Sequence, residues 1–545
     1  MKVCKKSVRV GHKVKIPATG TTSQIPQVSA VEINPDFARA LDFLENTNKN
    51  IFITGKAGTG KSTLLQYFRE HTAKNVAVLA PTGVAALNVK GQTIHSFFHF
   101  PPHITVQTVA MQSPSKKLKD LLQKIDAIII DEVSMVRADL MDCIDVVLQF
   151  YRNNPEPFGG LQMIFIGDLY QLPPVVSGKE EQELFRTYYE SPYFFSAKVF
   201  GKIEMEFLEL NKIYRQKDQD FIDLLNKIRN GSVDDHDISN LNTRCNPDFD
   251  HDDSKNIFYV TLTTTNASAD ILNYKKLSDL NVELKTYDGK ITGMFDDKHL
   301  PTLMKLSLKI GSQIMLLNND PGKRWVNGSI GKIIDIECDE ESDEDTIVVK
   351  LNDGKTVYVT PCTWEIFRYF FNKKRGHLDV EIIGSFTQYP IRLAWAITIH
   401  KSQGKTFDNV VIDLGRGSFV QGQVYVAISR CTSFSGMVLK KPIQKKHIWI
   451  DYRIMRFLTR YQYAISEKEL PLEIKIKRIK DAIEKDETIE MIYLKTNDVK
   501  SHRTIQPKYI GDLEYLGKTF FGIEAFCLKR QEMRHFRVDR ILKIQ

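Results

Sequence analysis

Between an apolar run, Ile51 to Ile53, and a helix-forming stretch, Leu64 to Glu70, lies Gly55-Lys56-Ala57-Gly58-Thr59-Gly60-Lys61-Ser62-Thr63. A strand, a G-x-x-x-x-G-K-[ST] loop and a helix, in that order, commit this part of the chain to an α/β sheet with a phosphate-binding turn. Glycines let successive backbone N–H groups wrap phosphates, Lys61 supplies a mobile cation, and Ser62 offers a hydroxyl to Mg2+. The residues expected to line the nucleotide are Gly55, Ala57, Gly58, Thr59, Gly60, Lys61, Ser62 and Thr63. The bland alternative, a Gly-rich turn, is opposed by the strand before it and the helix after it.

A carboxylate pair follows at phosphate-loop spacing. Ala127-Ile128-Ile129-Ile130-Asp131-Glu132 reads as a fully buried parallel strand ending in two acids. Open α/β sheets place ligands at that carboxyl end. Asp131 is expected to hold Mg2+ with Ser62, and Glu132 to orient or deprotonate an attacking water. Alone, an apolar run followed by Asp-Glu is ordinary core-to-loop chemistry; the upstream loop gives it a catalytic reading. A further buried strand, Met163 to Ile166, ends in Gly167-Asp168-Leu169-Tyr170-Gln171-Leu172-Pro173-Pro174.

That strand end, with Leu79-Ala80-Pro81-Thr82-Gly83-Val84-Ala85-Ala86 and Thr93-Ile94-His95-Ser96-Phe97, resembles the motif set of superfamily 1 DNA helicases. Ala394 to Thr406, containing Ile397-Thr398-Ile399-His400-Lys401-Ser402-Gln403-Gly404, and Gln423 to Arg430 resemble the late motifs of the petite-integration-frequency (PIF) helicases. The resemblance runs from about Asn34 to Leu439. It implies two RecA-like lobes that hold ATP between them, movement 5′ to 3′ along single-stranded DNA, and unwinding of forks or structured DNA in repair, recombination or telomere maintenance. Gln171 then senses the γ-phosphate, while Arg215 and Arg430 reach it from the second lobe, where a guanidinium suits developing phosphoryl charge. Gln403 and Gly404 join the nucleotide site. Pro81, Thr82, Thr93, His95, Thr398, His400 and Lys401 lie along the DNA track, a placement carried by the resemblance and not by their spacing. One departure is Phe37, which stands near the point where such helicases carry an adenine-reading Gln; it either stacks on a purine or is core.

Between the late motifs, Gly331 to Glu337, Thr346 to Leu351 and Thr356 to Thr360 read as strands joined by the acidic turn Asp339 to Asp345 and by Asn352-Asp353-Gly354. The acids lack the ordered spacing of a calcium loop. Family members carry an SH3-like barrel here. After a polar linker, Ser466 to Pro471, comes a helix from Ile474 to Glu484 and then short strands. Thr519 to Cys527 and Arg534-His535-Phe536-Arg537-Val538-Asp539-Arg540-Ile541 resemble a WYL domain, with Phe521-Gly522-Ile523 where the namesake tripeptide would stand. That resemblance implies an Sm/SH3-like β module binding nucleic acid or a small anionic ligand, with Arg534, Arg537 and Arg540 as candidate contacts.

The expected architecture is α/β: a disordered basic tail over 1–31, a first RecA-like lobe over 32–200, a second over 201–280 and 385–450, the barrel over 281–384, a helix and linker over 451–472, and the WYL-like module over 473–545. The tail has five Lys, one Arg and no acid, but Gly and Pro interrupt any transit-peptide helix. The seven cysteines form no C-x-x-C pair, which points to a reducing compartment and away from structural zinc. With no apolar run of membrane-spanning length, the expectation is a cytoplasmic, nucleoid-associated bacterial monomer with ATP and Mg2+ as cofactors and DNA as partner. A net charge of +8 is only a mild bias toward polyanions. Two alternatives stay open: a RecD-like translocase subunit that needs partners to unwind, and a non-enzymatic WYL-type regulator built on an inactive phosphate loop.

Overall fold

Among the described residues six strands form the first sheet: β1 (Asn50–Gly55), β2 (Val76–Ala80), β3 (Gln92–Thr93), β4 (Ala127–Ile130), β5 (Gln162–Ile166) and β6 (Met205–Leu210). Their order is β3-β2-β4-β5-β1-β6, and every neighbouring pair is parallel. Every residue of β2, β4 and β5 is buried. Helices cover both faces of such a sheet, which is why these strands read as unbroken apolar runs. The parallel register brings the ends of β1, β4 and β5 to one edge, so the phosphate loop, Asp131-Glu132 and Gly167-Asp168 are neighbours by construction.

The chain is described by a computed structural model over residues 32–544, apart from 102–103, 111–114, 177, 251–256, 296–299, 339–343, 373, 416, 418–419, 496–499 and 516. The basic tail and most of the acidic turn at 339–345 therefore lie outside the described residues.

A second sheet holds four parallel strands in the order Ala396–Thr398, Val260–Thr263, Val410–Asp413, Met437–Leu439. Between its first two strands in sequence, the insertion forms a five-stranded antiparallel sheet, from Thr356–Val359 through Asp345–Leu351, Ile330–Cys338 and Gln313–Leu316 to Ile391–Leu393. Its separate apolar core includes Leu308, Ile314, Leu316, Ile333, Val349 and Val359. A long hairpin, Cys362–Asn372 with His377–Gln388, extends from it and pairs with Lys290–Gly293.

Three boundaries differ from the sequence reading. β6 falls in the range given to the second lobe, yet it pairs with β1 from Asn50↔Met205 to Gly55↔Leu210 and closes the first sheet. A short apolar strand carries no mark of which sheet will take it. The insertion runs to Leu393, beyond 384, because Ile391–Leu393 pairs with Gln313–Leu316. The stretch 466–471 is not a free linker. Helix Tyr452–Glu469 includes its first four residues, the Ser466 hydroxyl donates to the Ile541 and Leu542 carbonyls (3.1 and 2.9 Å), and Leu470 packs in the C-terminal core. Polar composition hid one buried serine and one buried leucine.

That helix also binds the C-terminal unit to the first lobe. Phe457 stacks on Phe195 at 4.2 Å between ring centroids and Tyr461 on Phe207 at 5.8 Å. The C-terminal unit is helix Leu472–Glu484 against a five-stranded antiparallel sheet ordered Glu532–Arg537, Lys518–Cys527, Lys500–Tyr515, Ile489–Leu494, Ile541–Ile544.

Candidate nucleotide and DNA site

The loop leaves β1 at Gly55 and re-enters regular structure as helix Lys61–His71. Gly58 has φ +80°, and a Cβ there would lie 2.5 Å from the Cβ of Arg215, so both the turn and its neighbour exclude a side chain. The Lys61 ammonium donates to the carbonyls of Gly55 (2.7 Å) and Lys56 (3.0 Å), which holds it inside the loop. Burial lowers its pKa, opposed by Asp168 and Glu132. Ser62 and Thr63 are exposed on the first turn of the helix.

Asp131 follows β4 and is 7% exposed. Burial first, then the adjacent Glu132, push its carboxyl up from 3.8 to about 7. Glu132 sits in left-handed backbone at φ +50°, and burial raises its pKa too, opposed by Lys61 and Arg430. A hard cation fits here: the donors are oxygens, and the buried Asp131 beside the half-buried Glu132 lacks enough positive charge nearby for both to stay ionised. Ser62 and Asp131 are the residues that would hold it.

Gln171 and Asp168 lie at the end of β5, both buried. Asp168 accepts from the Gln171 amide (3.2 Å), the Tyr170 backbone N–H (3.2 Å) and Arg229 Nη2 (3.1 Å). Sequence reasoning assigned no role to Asp168 or Arg229. Asp168 was visible inside its motif, whereas Arg229 looked like any cation in the last turn of a helix.

The second lobe meets this edge directly. Tyr425, another residue to which the sequence motifs gave no role, accepts from the phosphate-loop N–H of Ala57 through its hydroxyl (3.0 Å). The connection between the lobes, Asn211 to Gln216, runs along the loop, with the Tyr214 N–H on the Gly58 carbonyl (2.9 Å). Arg215 donates to the carbonyls of Ser429 (3.2 Å) and Gly404 (3.3 Å). Arg430 is 1% exposed and donates to the carbonyls of Val426, Ser402 and Lys405. Burial and then Arg215 depress its pKa to about 9. The Gln403 side-chain nitrogen is buried without a hydrogen-bond partner. Phe37 is 2% exposed and packs with Ala40, Leu44 and Leu64, so the core reading holds for it. The exposed aromatic beside the loop is Tyr214, whose hydroxyl accepts from Asn34 Nδ2 at 2.9 Å.

The expected DNA-track residues divide between the lobes. Pro81 and Thr82 follow β2, and Thr93 ends β3, its strand neighbour with Ala80↔Thr93 in register. Thr82 and Thr93 cap the next helices by accepting from Ala85 and Ser96 N–H groups, and His95 is half-buried one turn on. In the second lobe Thr398 is 4% exposed and its hydroxyl accepts from the Lys401 N–H, so it fixes the turn that carries His400 and Lys401. Burial lowers the pKa of both, which favours their neutral forms. The insertion's hairpin spans back to the first lobe here: the Tyr369 hydroxyl accepts from the Val78 N–H (3.2 Å), and the Leu378 N–H donates to Asn75 (2.8 Å).

In the C-terminal module the three expected arginines separate, with Arg540 at the end of the short 3-10 turn Val538–Arg540. Arg537 forms a two-bond pair with Asp539 (3.0 and 2.7 Å), and Arg534 pairs with Glu532 at 3.2 Å. Arg534 also belongs to a like-charged group with Arg503, Lys529 and Arg530 around Lys495, whose pKa falls through burial and then these cations. One Arg503 nitrogen, Nη1, is buried without a partner.

The PIF1-like helicase family matches residues 37–239, and the WYL domain family matches residues 475–545. The ATP-dependent DNA helicase Pif1 of Bdellovibrio bacteriovorus is 32% identical over 82% of this chain and 95% of its own. The crystal structure of a Bacteroides Pif1 in complex with ADP-AlF4 superposes with a TM-score of 0.72 at 35% identity, covering 79% of this chain and 97% of that one. The same coverages apply to a Bacteroides Pif1 bound to single-stranded DNA, at 36% identity and a TM-score of 0.56.

Proposed function

The chain belongs to the PIF1-like helicase family, and from that premise we propose that it is an ATP- and Mg2+-dependent DNA helicase that moves 5′ to 3′ on single strands and opens duplex or structured DNA in genome maintenance, acting as a monomer. The observation that carries this reading is the cleft. A phosphate loop, the buried carboxylates of Asp131 and Asp168, the half-buried Glu132, and Arg215, Arg229 and Arg430 converge where Tyr425 of one lobe touches Ala57 of the other.

Each residue has a task that follows from its placement. Backbone N–H groups of the loop and the Lys61 ammonium bind the β- and γ-phosphates; Lys61 leaves its carbonyl partners to do so. Glu132 accepts a proton from, or orients, the attacking water, and burial makes it a stronger base than an exposed glutamate. Gln171 reads the γ-phosphate. Arg215 and Arg430 exchange second-lobe carbonyls for the transferring phosphoryl when the cleft tightens. Mg2+, when bound at Ser62 and Asp131, neutralises phosphate charge.

Single-stranded DNA crossing Thr82, Thr93 and His95 on one lobe and His400 and Lys401 on the other would bridge the cleft, so that closure on ATP shortens the distance between two grips. Burial favours the neutral form of His400, which suits it to a hydrogen bond with a phosphate oxygen. The WYL domain adds a phosphate-binding group at Lys495, Arg503, Lys529, Arg530 and Arg534, and the buried, partnerless Arg503 nitrogen supports that reading. The experiment is ATPase with and without oligothymidine, followed by strand separation with purified monomer. DNA-stimulated hydrolysis with unwinding supports a self-sufficient helicase; stimulation without unwinding supports a translocase subunit.

A further inference from the structure

Arg229 ends helix Gln219–Arg229, which belongs to the second lobe. Just ahead of that helix, Gln216 donates to the Ser429 and Cys431 carbonyls (3.1 and 3.0 Å), and Phe221 meets Phe434 edge-on at 6.0 Å. The Arg229 guanidinium, however, crosses to the first lobe. It lies 4.1 Å over the Tyr170 ring and donates to Asp168 at 3.1 Å, with the Arg229 and Asp168 side chains 5% and 0% exposed. The other oxygen of Asp168 accepts from Gln171. Arg215, from the connection, and Arg430 donate to second-lobe carbonyls, but Arg229 donates to a carboxylate of the first lobe, and that carboxylate holds the expected γ-phosphate sensor.

We propose that Arg229 is a positioning residue that couples closure of the two lobes to the orientation of Gln171, acting through Asp168. The Arg229–Asp168 ion pair is 3.1 Å long and closed to solvent, so water does not take the place of either partner when they separate. If the lobes part by about an ångström or two, Asp168 becomes a buried charge without its partner, a costly arrangement that the local chain relieves by rearranging. Gln171, bonded to the same carboxylate, rearranges with it. Two further features agree. Arg229 Nε is buried with no partner, so the guanidinium retains a free donor beside the site instead of being a fully satisfied core group. From the other side Gly422 is so close that a Cβ would lie 2.4 Å from the Tyr170 carbonyl oxygen and 2.5 Å from that of Gln171. The second lobe therefore holds this stretch at two points.

The inference rests on the ATPase reading above, and the test separates the two. In the full-length protein, Arg229→Met, Arg229→Lys, Asp168→Asn and the double variant Arg229→Met/Asp168→Asn are compared with wild type for DNA-stimulated kcat, equilibrium binding of a fluorescent ATP analogue, and thermal midpoint. The expected result is a fall of roughly 10- to 100-fold in kcat for Arg229→Met, with nucleotide affinity within about threefold of wild type. Arg229→Lys should recover much of the rate, and the double variant should be no slower than the slower single, because both substitutions break one linkage. An unchanged kcat overturns the proposal. So does a loss of rate that follows loss of nucleotide binding and thermal stability in parallel across the series, or rate losses that multiply in the double variant. Absence of DNA stimulation in the wild type would instead overturn the function on which the proposal rests.

Discussion

Replacing Asp131 by Asn should make the protein more stable at alkaline pH in the absence of divalent cations, although it removes a residue of the nucleotide site. The folded-state pKa of Asp131 is raised from 3.8 to about 7, by burial and by Glu132. Between those values the folded chain holds a proton that the unfolded chain has released, so stability falls as pH rises through that window. At about 1.4 kcal/mol per pH unit, the shift corresponds to ~4 kcal/mol once pH exceeds 7, a ceiling shared with Glu132. Asn is neutral throughout and escapes this penalty. Thermal unfolding of both proteins with EDTA should give similar midpoints near pH 4 and a higher midpoint for Asp131→Asn near pH 8. Adding Mg2+ near pH 8 should raise the wild type and leave the variant almost unmoved. An Asn variant equal to or less stable than wild type near pH 8 would refute the argument that this carboxylate is buried without sufficient counter-charge.

Lys61→Ala and Glu132→Gln should both abolish turnover while leaving strand binding intact, but Glu132→Gln should still bind and retain ATP whereas Lys61→Ala binds it poorly; filter binding alongside steady-state ATPase checks both, and near-normal turnover in either discards the assignment. Arg215→Ala and Arg430→Ala should each remove most of the DNA stimulation of ATPase, measured against oligothymidine concentration, with nucleotide binding preserved; unchanged stimulated rates would make them structural residues that tie the second lobe together. Arg503→Ala combined with Arg534→Ala should weaken single-strand binding and make the plot of log affinity against log salt shallower by roughly 0.7 for each phosphate that is no longer neutralised, while DNA-stimulated kcat remains. Equal slopes would remove the DNA-grip role and leave the WYL domain to a partner or a small anionic ligand.

What the sequence exposed best was chemistry tied to short spacing. Gly55 to Thr63, Asp131-Glu132 and Gln171 sit where strand-then-loop grammar puts them, because a parallel sheet aligns the ends of β1, β4 and β5 whatever lies between. What it concealed was contact between distant segments. Tyr425 reaches Ala57 across 368 positions, and Arg229 reaches Asp168 across 61, through lobe packing that no local pattern encodes. Thr398, expected along the DNA track, is buried, and its hydroxyl caps the turn that carries His400 and Lys401, a local bond that no motif spells out. Ser466 and Leu470 were hidden in polar surroundings, and β6 in a stretch equally suited to either sheet. The arginines near the C-terminus were legible as a charge group, yet only pairing separates Arg537, tied to Asp539, from Arg534, which joins Arg503 and Lys495.

Closure of the two lobes on ATP should move the chain in one direction along a single strand. That movement is tested most directly by strand separation on two partial duplexes that differ only in whether the single-stranded tail is 5′ or 3′, with ATP and Mg2+ and with Glu132→Gln as the control. Wild type should unwind the 5′-tailed substrate and little of the 3′-tailed one, and Glu132→Gln should unwind neither. Unwinding confined to the 3′ tail, or unwinding by Glu132→Gln equal to that of wild type, would contradict this expectation.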